Sequence, residues 1–385
     1  MSSLLDIEQD VGDSFDHNDL LSFTDDVLLS DYMDVEEFGK NIISEYDNEN
    51  HLKLMHLNID NLTTKFDAFS TLITQQLRGS NSPFFDIIAV SESHLRSEKS
   101  SSNQCSLSEE EIKLSLDGYG FHGKSRVRTK KGGVGLFVRN ELYDQFSVDE
   151  ELSIFHEGIF ESIFLRNRSR TRKDLVVGTI YLPNGLRSNK SQILEIFENI
   201  CEQIQRSDCE CILMGDMNVD MMRYMHDETV SEYIDLIVSN GLKFRLAQPT
   251  RVTHTSATLI DHMIDNFTNE TKACGVITTQ LQGSSGYTDH FPIYSIVQRM
   301  TQRPSRQSTF TKRKITAATK KGFQDNLKSA DFTSAYQDNV NDAMSNFTSI
   351  IQAEYNKSFP LITQKVKQYD HKDKDSWPSQ VLQSP

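Results

Sequence analysis

From residue 52 onward, short apolar runs of strand length alternate with stripes of helical spacing. LKLMHLNI, residues 52 to 59, reads as a strand, and Leu62, Phe66, Phe69, Ile73 and Leu77 then recur at three- and four-residue intervals, predicting a helix that stops at Gly79. FFDIIAVSE, GGVGLFV, GIFESIFLR and DLVVGTIYLPN follow as strands. Ile193, Ile196, Phe197, Ile200 and Ile204 mark a second helix, CECILMGD the strand after it, and Val230 to Val238 a third helix closed by SNG. LIDHMIDN and HFPIYSIV supply the last strands. Strands alternating with helices, with several strand-to-strand stretches, predict a layered α/β sandwich.

The flanks are of different character. Residues 1 to 50 hold 15 acids against the single Lys40, mixed with Leu, Phe, Val and Tyr, which leaves 40 acids and 39 bases in the rest of the 385-residue chain. The net charge of −15 therefore belongs to that segment, and the nearly neutral body can carry patches of either sign. Residues 1–50 are expected to form either a solvated, disordered acidic arm or a docking or autoinhibitory segment that mimics a polyanion and meets a protein partner. Residues 51–297 are expected to be the folded domain, 298–323 a basic linker with eight Lys or Arg up to Lys321, and 324–385 a helical connector with a loose tail that includes Trp377. Phe323, Leu327, Phe332, Tyr336, Phe347, Ile351 and Tyr355 predict one or two amphipathic helices there.

Cys105, Cys201, Cys209, Cys211 and Cys274 are odd in number and without CxxC spacing, and the N-terminal residues lack a basic region followed by an apolar stretch. Both features argue against secretion. No run approaches the roughly 18 apolar residues of a membrane helix, so an intracellular protein without membrane contact is expected.

Candidate chemistry collects at the ends of the apolar runs. HLNID offers Asn58 and Asp60, AVSE offers Glu92, YLPN offers Tyr181 and Asn184, ILMGDMN offers Asp216 and Asn218, LIDH offers Asp261, and GYTDH offers Asp289 and His290. One such end is an ordinary turn, but polar groups at six strand ends are costly unless paired or liganded. Carboxylates and amides without a Cys or His cluster are hard oxygen donors, suited to Mg²⁺ or alternatively Mn²⁺. Together with a His–Asp pair and a carboxylate free to orient water, they make a phosphodiester-cutting set. His56 is expected to face away from this set by strand alternation, as a satisfied core residue.

The ordered series LMHLNID, IIAVSESHL, GGVGLFV, GTIYLPN, ILMGDMNVD, PTRVTHTSATLIDHMIDN and TDHFPIY resembles the endonuclease/exonuclease/phosphatase superfamily over about residues 51 to 297. Within it, the series is most similar to the apurinic-endonuclease-like domain of non-LTR (LINE-type) retrotransposon proteins. The resemblance implies a DNase I-like four-layer sandwich of two packed mixed sheets flanked by helices, and a Mg²⁺-dependent nicking endonuclease acting on DNA. It implies Glu92, Asn58, Asp60 and Asp289 as metal ligands. Asp216, held by Asn218, would orient or deprotonate the attacking water. His290, oriented by Asp261, would contact the scissile phosphate, and Tyr181 and Asn184 would steady the phosphate or leaving group. No polymerase motif with paired aspartates follows, so the chain resembles a truncated element or a nuclease-only derivative.

Two departures stand out: Ser91 precedes Glu92 where repair-type members carry Gln, and Thr288 replaces the usual Ser while keeping its hydroxyl. QGSSGY between Leu281 and Thr288 is longer than the compact form of the motif and is expected to bear on the placement of Asp289 and His290. KSRVRTKKGG packs Lys124, Arg126, Arg128, Lys130 and Lys131 between two strands and is expected to contact the DNA backbone. A DNA substrate implies nuclear residence. Two alternatives remain open: a phosphatase of the same fold acting on inositol phosphates or lipids, and a non-cleaving, host-adopted DNA-binding protein.

Overall fold

A computed structural model describes residues 31–47, 50–80, 83–95, 116–129, 131–169, 173–267, 271–298, 309–337 and 339–365. Cys105, Lys130, Trp377, most of the acidic arm, part of the basic linker and the tail lie outside the described residues. The chain divides into two compact units, residues 1–201 with 209–304, and residues 202–208 with 305–385.

The first unit is built on two large mixed sheets. One runs, in spatial order, β1 (Asp31–Met33), β12 (Thr271–Ile277), β13 (Ile293–Gln298), β2 (His51–Asn58), β3 (Ile87–Ser91), β5 (Val134–Arg139) and β4 (Tyr119–Lys124). The other runs β10 (Lys243–Phe244), β11 (Asp261–Asp265), β9 (Glu210–Asp216), β8 (Leu175–Tyr181), β7 (Phe160–Asn167) and β6 (Phe146–Val148), with Phe155–His156 also on β7. Their central strands face one another, β2 and β3 against β9, which is why both read as near-continuous apolar runs. Helix α1 (Leu62–Thr71) covers the first sheet, with Phe69 5.5 Å from Phe137. Helices α2 (Lys190–Ser207) and α3 (Glu228–Ser239) cover the second through Phe197, 5.3 Å from both Phe160 and Tyr233. This is the expected sandwich of two sheets between helices.

Three features differ from the sequence-based expectation. Residues 31–47 do not belong to a disordered arm: Asp31–Met33 pairs parallel with Gly275–Ile277, and the following helix buries Phe38 among Phe84, Phe85 and Tyr294. Three rings there outweigh the local acidity, since fully burying each contributes roughly 1.5–3 kcal/mol. The second difference is β4, whose sequence YGFHGK has too few apolar residues to stand out, and β12, TKACGVI, both of which escape the pattern. The third is the linker: it is already ordered at Thr309–Arg313, which pairs with Leu361–Lys365, and at α4 (Ala317–Ser329), which begins with a Thr316 capping box.

The second unit joins α4 to α5 (Val340–Ser358) through aromatic contacts. Phe323 lies 5.9 Å from Tyr355 and 5.4 Å from Phe359, and Arg313 sits 5.0 Å over the Tyr355 ring. Among the described residues, no helix is long and apolar enough to cross a membrane.

Candidate active site

Strand register, rather than proximity in sequence, assembles the site. β2 and β3 run parallel with Asn58 opposite Ser91, so Asn58 and Glu92 leave the first sheet at the same edge. In the second sheet β8 and β9 run parallel with Tyr181 opposite Asp216, and β11 runs antiparallel with Asp261 opposite Asp216. Asp261 therefore opens its strand rather than ending one, and His290 likewise precedes β13; antiparallel pairing returns both to the same rim.

Asn58 joins the two halves of this rim. Its Nδ2 donates to Glu92 Oε1 at 2.9 Å and to Asp216 Oδ2 at 2.8 Å. Asn218 holds Asp216 from the other side, through its backbone N to Oδ1 at 2.9 Å and its Nδ2 to Oδ2 at 3.1 Å. His290 Nδ1 is 2.8 Å from Asp261 Oδ2, which also accepts from Thr250 Oγ1 at 2.7 Å. Asp216, Asp261 and His290 each bring one atom within 4.8 Å of the others. Thr288 supplies the hydroxyl expected of it, donating to the Asn58 carbonyl at 3.0 Å and accepting from His290 N at 3.3 Å.

The electrostatics divide these groups by task. Burial pushes Asp216 up to about 7, aided by the Asp261 charge and opposed by His290 and by hydrogen bonds from Asn218 and Asn58. Burial works to lower His290, but Asp261 and Asp216 outweigh it and raise the imidazole to about 9. Asp261 is held below the usual carboxylate range: burial opposes this, and the His290 charge and hydrogen bond override it. Burial would also raise Glu92, yet hydrogen bonds from His94, Asn58 and Tyr181 bring it to about 2. The Tyr181 hydroxyl is pushed up by burial and by Glu92 and Asp216, so it stays protonated.

Asp60, Glu92 and His94 form a second cluster, with one atom each within 4.8 Å of one another. Two carboxylates and an imidazole are a donor set that fits a divalent cation. Asp60 is also bound by Lys65, whose buried ammonium donates to its carbonyl at 2.6 Å and to Oδ2 at 3.2 Å.

Several expectations require correction. Asp289 does not join Asp60 and Glu92: its half-exposed carboxylate pairs with Arg251 and lies 3.8 Å from His290 Nε2. Asn184 is exposed on the turn after β8, and none of the site's hydrogen bonds reaches it. His56 does not face away: standing two residues before Asn58, it shares that residue's face, with Nδ1 3.7 Å from Asp261 Oδ1 and Nε2 3.2 Å from Ser91 Oγ. QGSSGY forms a small hairpin, closed by Thr288 N to Leu281 O at 3.0 Å and seated on α1 through Ser285 and Thr64 at 2.8 Å, which leaves the His290–Asp261 pair intact.

In the basic loop, Arg126 is no free phosphate contact, because its guanidinium pairs with the fully buried Glu161. Lys124 is tied to Glu150 at 3.2 Å and to the Ser153 carbonyl at 3.1 Å. Arg128 and Lys131 are exposed, and Lys130 is outside the described residues. His56, His94 and Thr250 also line the rim; His94 is signalled by its place two residues after Glu92 in SESHL and His56 by its place two residues before Asn58, while Thr250 carries no such signal.

A family model described as the Endonuclease/Exonuclease/phosphatase family matches residues 55–290, more than half of the chain. Among curated proteins, none matches the sequence. The AP endonuclease LMAP from Leishmania major is 10% identical with a TM-score of 0.51, over 75% of this chain and 97% of that one. The endonuclease domain of TRAS1, a telomere-specific non-LTR retrotransposon, is 10% identical with a TM-score of 0.46, over 64% and 98%. ANGEL2, a 2′,3′-cyclic phosphatase, is 13% identical with a TM-score of 0.38, over 64% and 94%. At these identities the likeness to solved structures is one of fold.

Proposed function

Since this chain belongs to the endonuclease/exonuclease/phosphatase family, we propose that its rim hydrolyses a phosphodiester bond of DNA, nicking one strand in the presence of Mg²⁺ as in target-site nicking by a LINE-type element. The observation that carries this reading is Asn58, whose amide spans Glu92 and Asp216 and so sets the cation-holding acids beside the Asp216–His290 pair. Asp216, raised to about 7, is matched to taking a proton from water near neutrality, and Asn218 fixes its orientation. His290, cationic at neutral pH through Asp261, sits where it can hold the charge that develops on the phosphate. The Tyr181 hydroxyl, held protonated, donates to Glu92 and orients that carboxylate beside the phosphate position. Asp60 and Glu92 would hold a divalent cation, whose chemistry there would be Lewis-acid polarisation of the phosphate and compensation of charge on the leaving oxygen. Arg128 and Lys131 remain as backbone contacts from the basic loop. A DNA substrate carries with it residence in the nucleus.

The test is conversion of supercoiled plasmid to open circles by the purified chain, with and without Mg²⁺. Wild-type protein is expected to nick only with the cation, and Asp216→Ala and His290→Ala to lose that activity. Equal nicking by both variants would remove the assignment of the site. Phosphate release from inositol phosphates beside an intact plasmid would turn the reading to a phosphatase, and metal-independent DNA binding without nicking to a binding protein.

A further inference from the structure

The Asp60–Glu92–His94 cluster contains a nitrogen that an all-oxygen Mg²⁺ site does not need. His94 Nε2 stands 3.3 Å from Glu92 Oε2, and its side chain is 9% exposed. Asp60, Glu92 and His94 take φ of 43°, 51° and 52°, a left-handed conformation that costs non-glycine residues roughly 1–2 kcal/mol each and persists where neighbours impose it.

The neighbours are visible. Asn61 N donates to the Glu92 carbonyl at 2.8 Å, Ser93 N to Gly133 at 3.2 Å and His94 N to Gly132 at 2.8 Å. The Gly132–Gly133 turn is in its turn fixed from the opposite sheet: Gly133 N donates to Glu161 Oε2 at 2.7 Å, and Arg126 holds Glu161 Oε1. A Cβ at Gly133, where φ is 88°, would stand 2.7 Å from Ser93 Oγ, so only glycine lets the turn lie this close beneath the His94 segment. The arginine of the basic loop thus belongs to a brace that runs Arg126–Glu161–Gly133 and ends at His94.

We propose that His94 is a third metal ligand, giving a mixed site of two carboxylates and one imidazole that prefers divalent transition ions to Mg²⁺. Mg²⁺ is best served by oxygen donors and retained water, whereas imidazole nitrogen contributes strongly to transition-ion binding. The proposal rests on the reading that this rim holds a divalent cation, and it asks which one.

Mn²⁺ serves as the probe, because bound Mn²⁺ is counted by electron paramagnetic resonance and a coordinated imidazole leaves a ¹⁴N modulation in its echo envelope. Wild-type protein is expected to show that modulation. His94→Gln is expected to lose it and to weaken Mn²⁺ binding about tenfold, while Mg²⁺ binding measured by calorimetry changes less than twofold. Mn²⁺ bound without ¹⁴N modulation, equal Mn²⁺ affinity in wild type and variant, or no bound Mn²⁺ would each overturn the proposal. His290→Gln and His56→Gln control for the other two imidazoles of the rim and should each retain the modulation, so the assignment stands or falls even if His94→Gln does not fold. Plasmid nicking is scored separately. A wild type that nicks in Mg²⁺ without ¹⁴N modulation refutes this inference alone, and one that shows the modulation but leaves plasmid intact refutes the nuclease reading alone.

Discussion

Asn58, at the end of a strand in one sheet, donates to Asp216, at the end of a strand in the other, across 2.8 Å. The same nitrogen reaches Glu92 at 2.9 Å, so one amide holds two carboxylates that would otherwise repel. Asn58→Ala is therefore expected to lower nicking about a hundredfold with an unchanged circular dichroism spectrum. A loss of less than about threefold would mean that the bridge has no part in the chemistry.

Asp261 Oδ2 holds His290 Nδ1 at 2.8 Å. Asp261→Asn removes the charge that keeps His290 protonated, and we expect a fall in turnover on the order of 10²–10⁴ with plasmid affinity changed by less than about threefold. A variant that loses binding and keeps turnover would assign Asp261 to DNA capture instead. Single-turnover rates and filter binding separate the two.

Arg245 makes two bonds to Asp265, Nε to Oδ2 at 2.8 Å and Nη2 to Oδ1 at 2.6 Å, and a third to the Phe267 carbonyl at 2.9 Å, all buried. Arg245→Met leaves an unpaired buried carboxylate and should cost about 3–5 kcal/mol in urea unfolding. Adding Asp265→Leu should restore half of that loss or more. An additive double variant would show that the ion pair, rather than the stranded charge, sets the stability.

Acid should weaken the fold through two buried histidines. His262 accepts from the Tyr233 hydroxyl at 3.0 Å and donates through Nε2 to the Val219 carbonyl at 3.0 Å, an arrangement that requires the neutral ring. Burial brings both His262 and His56 down to about 4, in each case against the opposing pull of Asp261. The unfolded imidazoles protonate near 6.5, so between about 6.5 and 4 the unfolded chain binds more protons. Their contribution is complete above that window and is lost as pH falls through it, on the order of 3 kcal/mol per histidine. Asp216 and His290, both raised, act in the opposite sense over part of this range, so the loss is read as the change in the effect of His262→Gln on the urea midpoint between pH 7.5 and 5; the same effect at both pH values would refute it.

The sandwich and most of the rim were legible because buried strands are apolar throughout and end abruptly on Asn, Glu, Tyr or Asp. Asn58, Tyr181 and Asp216 converge where parallel strands end, with Glu92 and Asn218 just beyond, and Asp261 and His290 join them from the starts of antiparallel strands. What escaped depends on distant partners. Arg126 resembled its exposed neighbours until Glu161, 35 residues on, claimed it. Asp289 looked like a ligand beside His290, yet Arg251 holds it. Phe38 lay hidden in an acidic stretch, because three rings from elsewhere decide its burial. His56 needed only correct counting along its strand.

Neither sheet owns the reactive rim: one contributes Asn58 and Glu92, the other Tyr181, Asp216 and Asp261. Each half would be inert by itself however well it folded, and catalysis would begin only when the two faces dock. Turnover would thus report that docking, registering a slip between the layers too small to alter the secondary structure of either.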